Sequence, residues 1–345
     1  MIPYIIAFAF IMIMSNLIQK NKGNSSAIWM LTVLIVSMTL FIGFRFWVGT
    51  DYGSYYRTYF MYSEMSWGEL FKVDDPALRI IAKLSSYLID SPITMFTIAA
   101  AIFSTLFVLS IYEYSDNFLL AMFIFVCCGT FLESFNGVKQ ATAVSIIFFG
   151  YRYIKQKSFL KYLLTILIAM LFHSTAILML ILYPLFNLKF KPLNIIIIIS
   201  ISVALALSYE WIFSLVETIT GKEVSLEYTY YITQVNIYRV AVAIAPCVII
   251  FLCSKESRLE CSALCNMLIF NAALMCVTSS SAFLARIGMY STAFIPIALV
   301  GLRNKVNFEK DTKLIFDFVV VIAYFIYFIV SILRTADLFP YQLFF

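Results

Sequence analysis

His173 is the one histidine among 345 residues, and it falls in the middle of a 25-residue apolar run, 162–186. An ionisable side chain at membrane depth is costly unless it faces protein or water, so function is the default expectation for it. Two readings are open. A neutral imidazole bonds a helix carbonyl or Ser174, or the ring serves as a general base or as a donor to a sugar or phosphate. With no second histidine and no clustered carboxylates, neither a metal site nor a cofactor is expected.

A second group begins where another apolar run ends: Arg45-Phe46-Trp47-Val48-Gly49-Thr50-Asp51-Tyr52-Gly53-Ser54-Tyr55. Positive charge is disfavoured at outer helix ends, so an arginine there is informative. Arg45 either snorkels to headgroups beside an aromatic belt, or is a fixed cation for a phosphate, with Gly49 and Gly53 letting backbone approach a ligand. Asp51 pairs with Arg45 or acts as a carboxylate toward a hydroxyl. Trp47, Tyr52 and Tyr55 would supply flat faces for sugar rings.

Further cations lie far along the chain. Lys139 and Gln140 follow Glu133-Ser134-Phe135-Asn136-Gly137-Val138. They are expected in the first turn of a helix, facing an outer cavity beside a terminus that favours anions; an ordinary polar hairpin is the other reading. Arg286 and Tyr290 open a late apolar run, and Arg239 ends a Tyr-rich stretch. Arg45, Lys139, Arg239 and Arg286 are expected to converge on one side of the membrane, forming a cationic cavity suited to a lipid-linked diphosphate.

The elements that must position these residues are membrane helices. Hydrophobic residues make up 63% of the chain and charged residues 12%, and mean hydropathy is +0.94. A soluble domain carries about 25% charged residues, so there is too little polar surface to clothe a globule. Apolar runs occupy 2–18, 28–44, 93–112, 118–135, 140–153, 162–186, 193–209, 240–253, 262–282, 287–302 and 314–333. They are long and continuous, which fits helices, whereas barrel strands alternate over about ten residues. The fold class expected is all-α, a polytopic transmembrane bundle of about 10–11 spans. Residues 1–345 read as a single integral membrane domain with external loops 45–92 and 210–239. Pro76 to Leu88 forms an amphipathic piece suited to the membrane surface.

Basic residues set the orientation. Lys20 and Lys22, then Arg152, Lys155, Lys157 and Lys161, then Lys255 and Arg258, and finally Arg303, Lys305, Lys310 and Lys313 mark inner loops. An odd number of runs separates the second of these loops from the third. One element is therefore broken or re-entrant: the run containing His173, or the stretch 193–220. The seven cysteines lie within or beside apolar runs and read as small apolar side chains. Met1-Ile2-Pro3 lacks a basic signal-peptide start, and the net charge of +5 reflects inner loops, so no nucleic-acid partner is expected.

Four motifs resemble the EpsG-like branch of Wzy-type polysaccharide polymerases, which includes bacterial O-antigen polymerases. They are Arg45-x3-Gly49-x-Asp51-Tyr52-x2-Tyr55, Lys139-Gln140-x2-Ala143, Ala169-x3-His173-Ser174 and Arg286-x3-Tyr290, and in that order they cover the whole chain. The second usually reads Arg-Gln, so Lys139 keeps the charge but loses the bidentate fork. The resemblance implies a polymerase of GT-C-like membrane glycosyltransferase architecture in the bacterial inner (cytoplasmic) membrane, acting on its outer, periplasmic face. Such enzymes move a growing glycan from undecaprenyl diphosphate to the non-reducing end of a lipid-linked repeat unit. Arg45 and Arg286 would clamp the diphosphate, and His173 or Asp51 would act as base. Lys139, Gln140, Arg239, Tyr52, Tyr55 and Tyr290 would bind substrate, with loop 210–239 selecting the acceptor. The partners implied are the undecaprenyl-diphosphate-linked oligosaccharide as donor and acceptor, the bilayer, and a chain-length regulator protein. A transporter or flippase of lipid-linked oligosaccharide and an O-antigen ligase-like glycosyltransferase are the rival readings.

Overall fold

The computed structural model describes residues 1–70, 75–207, 237–279, 285–335 and 337–344. Helices α1 (Ile2–Lys20), α2 (Ser25–Gly43) and α6 (Pro92–Tyr114), with the late helix Lys310–Arg334, are each long and apolar enough to cross a membrane. About 20 residues of helix rise 30 Å, the thickness of a hydrocarbon core. Pro3 and Pro92 lie in the first turns of α1 and α6, where the missing N–H leaves nothing unpaired. Among the described residues there is no strand; the one isolated bridge joins Arg45 and Leu343. The molecule is an all-α, polytopic bundle.

Several apolar runs that read as single spans are divided. Run 118–135 splits into α7 (Phe118–Cys127) and α8 (Thr130–Glu133) around Gly129, whose φ is 103°. Run 240–253 is helical over Ile237–Ile244 and Val248–Leu252, with a 3-10 turn at Ala245–Cys247 that contains Pro246. Run 287–302 divides into Ala285–Thr292 and Ile295–Arg303. Hydropathy records burial but not backbone breaks, and proline or left-handed glycine supplies those breaks.

The run containing His173 is broken at that residue. Helix α10 (Phe159–Phe172) ends there, His173 is extended, and a 3-10 helix follows over Ser174–Ile181. The direction of the break follows from one hydrogen bond: Tyr162 Oη donates to the Met179 carbonyl at 2.7 Å. A straight element would separate these residues by about 28 Å along its axis, from 1.5 Å per α-helical and 2.0 Å per 3-10 residue. A tyrosine side chain cannot span that distance, so the chain doubles back and His173 stands at the tip of a hairpin. This is the first of the two expected alternatives; much of the second, 208–220, lies outside the described residues.

The chain packs as two compact units, Met1–Leu180 with Leu314–Phe345, and Ile181–Lys313. In the first, the segment expected as external loop 45–92 is mainly helical: α3 (Tyr52–Glu64), α4 (Trp67–Leu70) and α5 (Pro76–Ser86). Tyr52, Tyr59, Tyr62, Leu78 and Ala82 of this layer form one buried cluster with Met95, Phe96 and Ala99 of α6 and with Val138, which begins α9 (Val138–Lys155). In the second unit, α11 (Leu182–Asn187) is tied to Ser262–Thr278 by Asn266, whose amide donates to Leu185 and Leu188 carbonyls at 2.9 and 2.8 Å. Helix α12 (Pro192–Leu207) packs on Ser262–Thr278 as well. Of the loop expected to select the acceptor, 210–239, residues 210–236 lie outside the described residues.

Candidate functional site

The hairpin tip brings His173 to a carboxylate and a cation from distant segments. Asp75 Oδ2 lies 3.5 Å from His173 Nδ1 and 3.8 Å from Lys139 Nζ. Its other oxygen, Oδ1, accepts the Ser174 N–H at 2.8 Å. Three local features hold the group. Lys139 occupies the first turn of α9, as expected. His173 is freed from the helix because its own turn ends there. Asp75 precedes Pro76, and its backbone is left-handed at φ 55°. Asp tolerates that conformation better than most residues, and its carboxylate contacts offset the strain, of order 1–3 kcal/mol.

The electrostatics are those of a partly enclosed site. Side-chain exposure is 13% for Asp75, 17% for Lys139 and 28% for His173. One carboxylate thus serves two basic side chains and a backbone N–H. The His173 Nδ1 atom is itself buried, and its approach to Asp75 is at ion-pair distance without hydrogen-bond alignment. Nδ1 is the ring nitrogen nearer the carboxylate, which leaves Nε2 for another partner.

Asp75 is the residue that sequence reasoning missed. It was one of several carboxylates in a long polar stretch, and its partner Ser174 is 99 positions away. The available signal was Asp-Pro at the head of an amphipathic helix.

Arg45 has a different place from the one expected. It is 1% exposed. Nε donates to Val48 O at 3.1 Å, Nη2 to Phe135 O at 3.2 Å, and Nη1 to Ile42 O. The rings of Phe96, Phe135 and Tyr52 surround its guanidinium carbon at 5.0, 5.4 and 5.7 Å. Burial lowers its pKa to about 10, opposed by neighbouring tyrosines, and it stays cationic at neutral pH. Its donors go to carbonyls rather than to Asp51 or toward a ligand. Arg45 is a pin: it holds the Phe135 turn, which leads directly into Val138 and Lys139.

The rest of the motif serves the same docking. Gly49 has φ 101°, and a Cβ there would stand 2.0 Å from Phe135 O. A Cβ on Gly53 would meet the Trp47 ring at 2.7 Å. These glycines therefore admit other parts of the protein, not a ligand. Thr50 N–H donates to Asn136 Oδ1 at 2.9 Å. Tyr52 is fully buried and stacked on Phe96 at 4.7 Å, so it offers no face to a sugar. Tyr55 is part-buried against the same cluster. Trp47 is the exposed ring of the set. Asp51 is part-exposed at the head of α3. Gln140 is 4% exposed and turned into protein, so Lys139 alone of that pair reaches the site.

Arg239, Arg286 and Tyr290 belong to the second unit. Arg239 and Arg286 are part-exposed, whereas Tyr290 is fully buried and so presents no open face. No group of three or more metal-ligating His, Cys, Asp or Glu side chains occurs among the described residues.

Helices able to cross a membrane define a multi-pass membrane protein, and its chain reversal brings an imidazole to a carboxylate and an ammonium. A family model described as the EpsG family matches residues 28–343, and the chain belongs to that family. Membership makes it a membrane protein of glycosyltransferase type. No curated protein and no solved structure matches the chain.

Proposed function

We propose that this protein is a polysaccharide polymerase of the O-antigen type. It transfers a growing glycan from undecaprenyl diphosphate to the non-reducing end of a lipid-linked repeat unit, at the outer face of a bacterial inner membrane. The observation that carries this reading is the Asp75–His173–Lys139 cluster, within a chain of the EpsG family.

The chemistry needs a base for the acceptor hydroxyl and positive charge for the leaving group. His173 Nε2 takes the hydroxyl proton while Asp75 holds Nδ1–H and stabilises the imidazolium that forms. The acceptor oxygen bonds to the anomeric carbon as the carbon–oxygen bond to the diphosphate breaks. The electron pair leaves with undecaprenyl diphosphate. Lys139 supplies charge toward that developing anion. Asp51 is the alternative base. A chain-length regulator protein belongs to the same reading as a partner.

The test uses purified full-length protein in lipid, supplied with one lipid-linked repeat unit. A polymerase lengthens it, and His173→Ala gives single-repeat products from protein that is still inserted. Transfer to a different acceptor would make it ligase-like. Movement across the bilayer without new bonds would make it a transporter or flippase, and either result overturns the proposal.

A further inference from the structure

Helix α5 carries a second cation one turn beyond Asp75. The Arg79 guanidinium carbon lies 4.9 Å from the centre of the Tyr62 ring, and its Nε is buried without a hydrogen-bond partner. No carboxylate among the described residues forms an ion pair with it; Asp75 is occupied by Lys139, His173 and the Ser174 N–H.

Other enclosed cations of this unit differ. Lys83, one turn further along α5, also sits between rings, those of Trp67 and Tyr87, but donates to Ser63 O at 3.1 Å. Arg45 holds three carbonyls, and Arg152 pairs with Glu113 at 2.8 Å. The side chain as a whole is part-buried, and a ring face satisfies none of the guanidinium's N–H donors, which an anion does. Arg79 is thus held in a fixed orientation by Tyr62, with donors left over. A planar guanidinium in that state suits a phosphoryl group, which it can grip through two parallel N–H···O bonds. Lys lacks that geometry, so Lys139, the cation that pairs with Asp75, cannot make the same grip.

We propose that Arg79 binds the diphosphate of a polyprenyl-linked substrate beside the Asp75–His173 pair. This rests on the reading of the protein as a polymerase of lipid-linked glycans, and it assigns the bidentate phosphate contact to α5. Arg79 is a binding residue here, with no part in proton transfer.

Binding is measured by calorimetry on the full-length protein in nanodiscs, with farnesyl diphosphate as probe and inorganic pyrophosphate and farnesyl monophosphate beside it. Arg79→Gln is expected to weaken farnesyl diphosphate binding about tenfold to a hundredfold, the loss of a charge-assisted hydrogen-bond pair. Arg79→Lys recovers part of it, and Lys83→Gln leaves it unchanged. Thermal midpoints of the variants show that each is folded. Unchanged affinity in folded Arg79→Gln overturns the proposal, even if the wild type lengthens glycans. Pyrophosphate binding as tightly as farnesyl diphosphate also overturns it, because the ligand is then a free anion. Wild type that binds farnesyl diphosphate through Arg79 yet lengthens nothing upholds this inference and sinks the polymerase reading.

Discussion

Arg45→Ala separates a structural pin from a ligand clamp, because the two roles fail differently. The guanidinium is buried, gives three donors to the carbonyls of Ile42, Val48 and Phe135, and is ringed by Phe96, Phe135 and Tyr52. Hydrogen bonds from a charged donor contribute roughly 1.5–3 kcal/mol each. Removing all three also relieves the desolvation of the charge, so the net loss is smaller than their sum. A net loss of about 3–5 kcal/mol follows from leaving three enclosed carbonyls without that donor, at roughly 1–3 kcal/mol each. For a unit of this size each 1 kcal/mol lowers the midpoint by roughly 2–4 °C, so the midpoint should fall by roughly 6–20 °C. Arg45→Lys keeps the charge but cannot reach three carbonyls at once, and should recover only a minor part. The assay is thermal unfolding in detergent, followed by the monodisperse peak on size-exclusion chromatography. If Arg45→Ala melts with the wild type while glycan lengthening disappears, the pin is wrong and Arg45 works on substrate. A fully stable Arg45→Lys would refute the three-carbonyl account as well.

Gly49→Ala should destabilise by more than the 1–2 kcal/mol of a left-handed residue, since its Cβ would fall 2.0 Å from Phe135 O; a wild-type midpoint contradicts this. The hairpin at His173 can be measured directly. Spin labels at Leu160→Cys and Leu180→Cys in a cysteine-free background should lie within about 20 Å, against roughly 33 Å for a straight element, from the same axial rises. Asp75→Asn should leave the protein inserted and lower lengthening by about 10²–10⁴-fold, the usual range for a misplaced general base. Activity near wild type would remove Asp75 from the site.

The sequence made some of this legible and hid the rest for physical reasons. His173 stood out because a lone imidazole in an apolar run has few cheap explanations, and the break it marks is where the chain turns. Lys139 was found by its place in a helix's first turn. Asp75 was not, because pairing with Ser174 across 99 positions leaves no local trace. Arg45 was noticed for a sound reason and given the wrong partner. An arginine at an outer helix end signals an unusual need for charge, but the need can be met by carbonyls as well as by phosphate. Gly49 and Tyr52 followed the same pattern: a glycine reports close approach without saying of what, and a tyrosine beside a cation can stack inward. The long polar stretch 45–92 read as loop because its helices are short and amphipathic.

The segment 337–344 also bears on how the protein is made. It lies along residues 44–49, with Phe46 N–H donating to Gln342 O, Gly49 N–H to Asp337 O and Phe344 N–H to Phe44 O. Tyr341 stacks on Phe41 at 4.6 Å and donates to its carbonyl, while Tyr4 donates to Leu338 O. These partners are 300 or more positions apart. At about 5–20 residues per second, something like 15–60 s of translation separates the first two helices from the stretch that covers them. Throughout that interval the Tyr4 end of α1 and the Gly43 end of α2 lack that cover. Arg45 meets Val48 almost at once and Phe135 within about the first third of that interval, so it can steady the layer while the remainder is still on the ribosome. A chain interrupted before residue 337 would insert and hold its pin, and would wait in the membrane with that layer open.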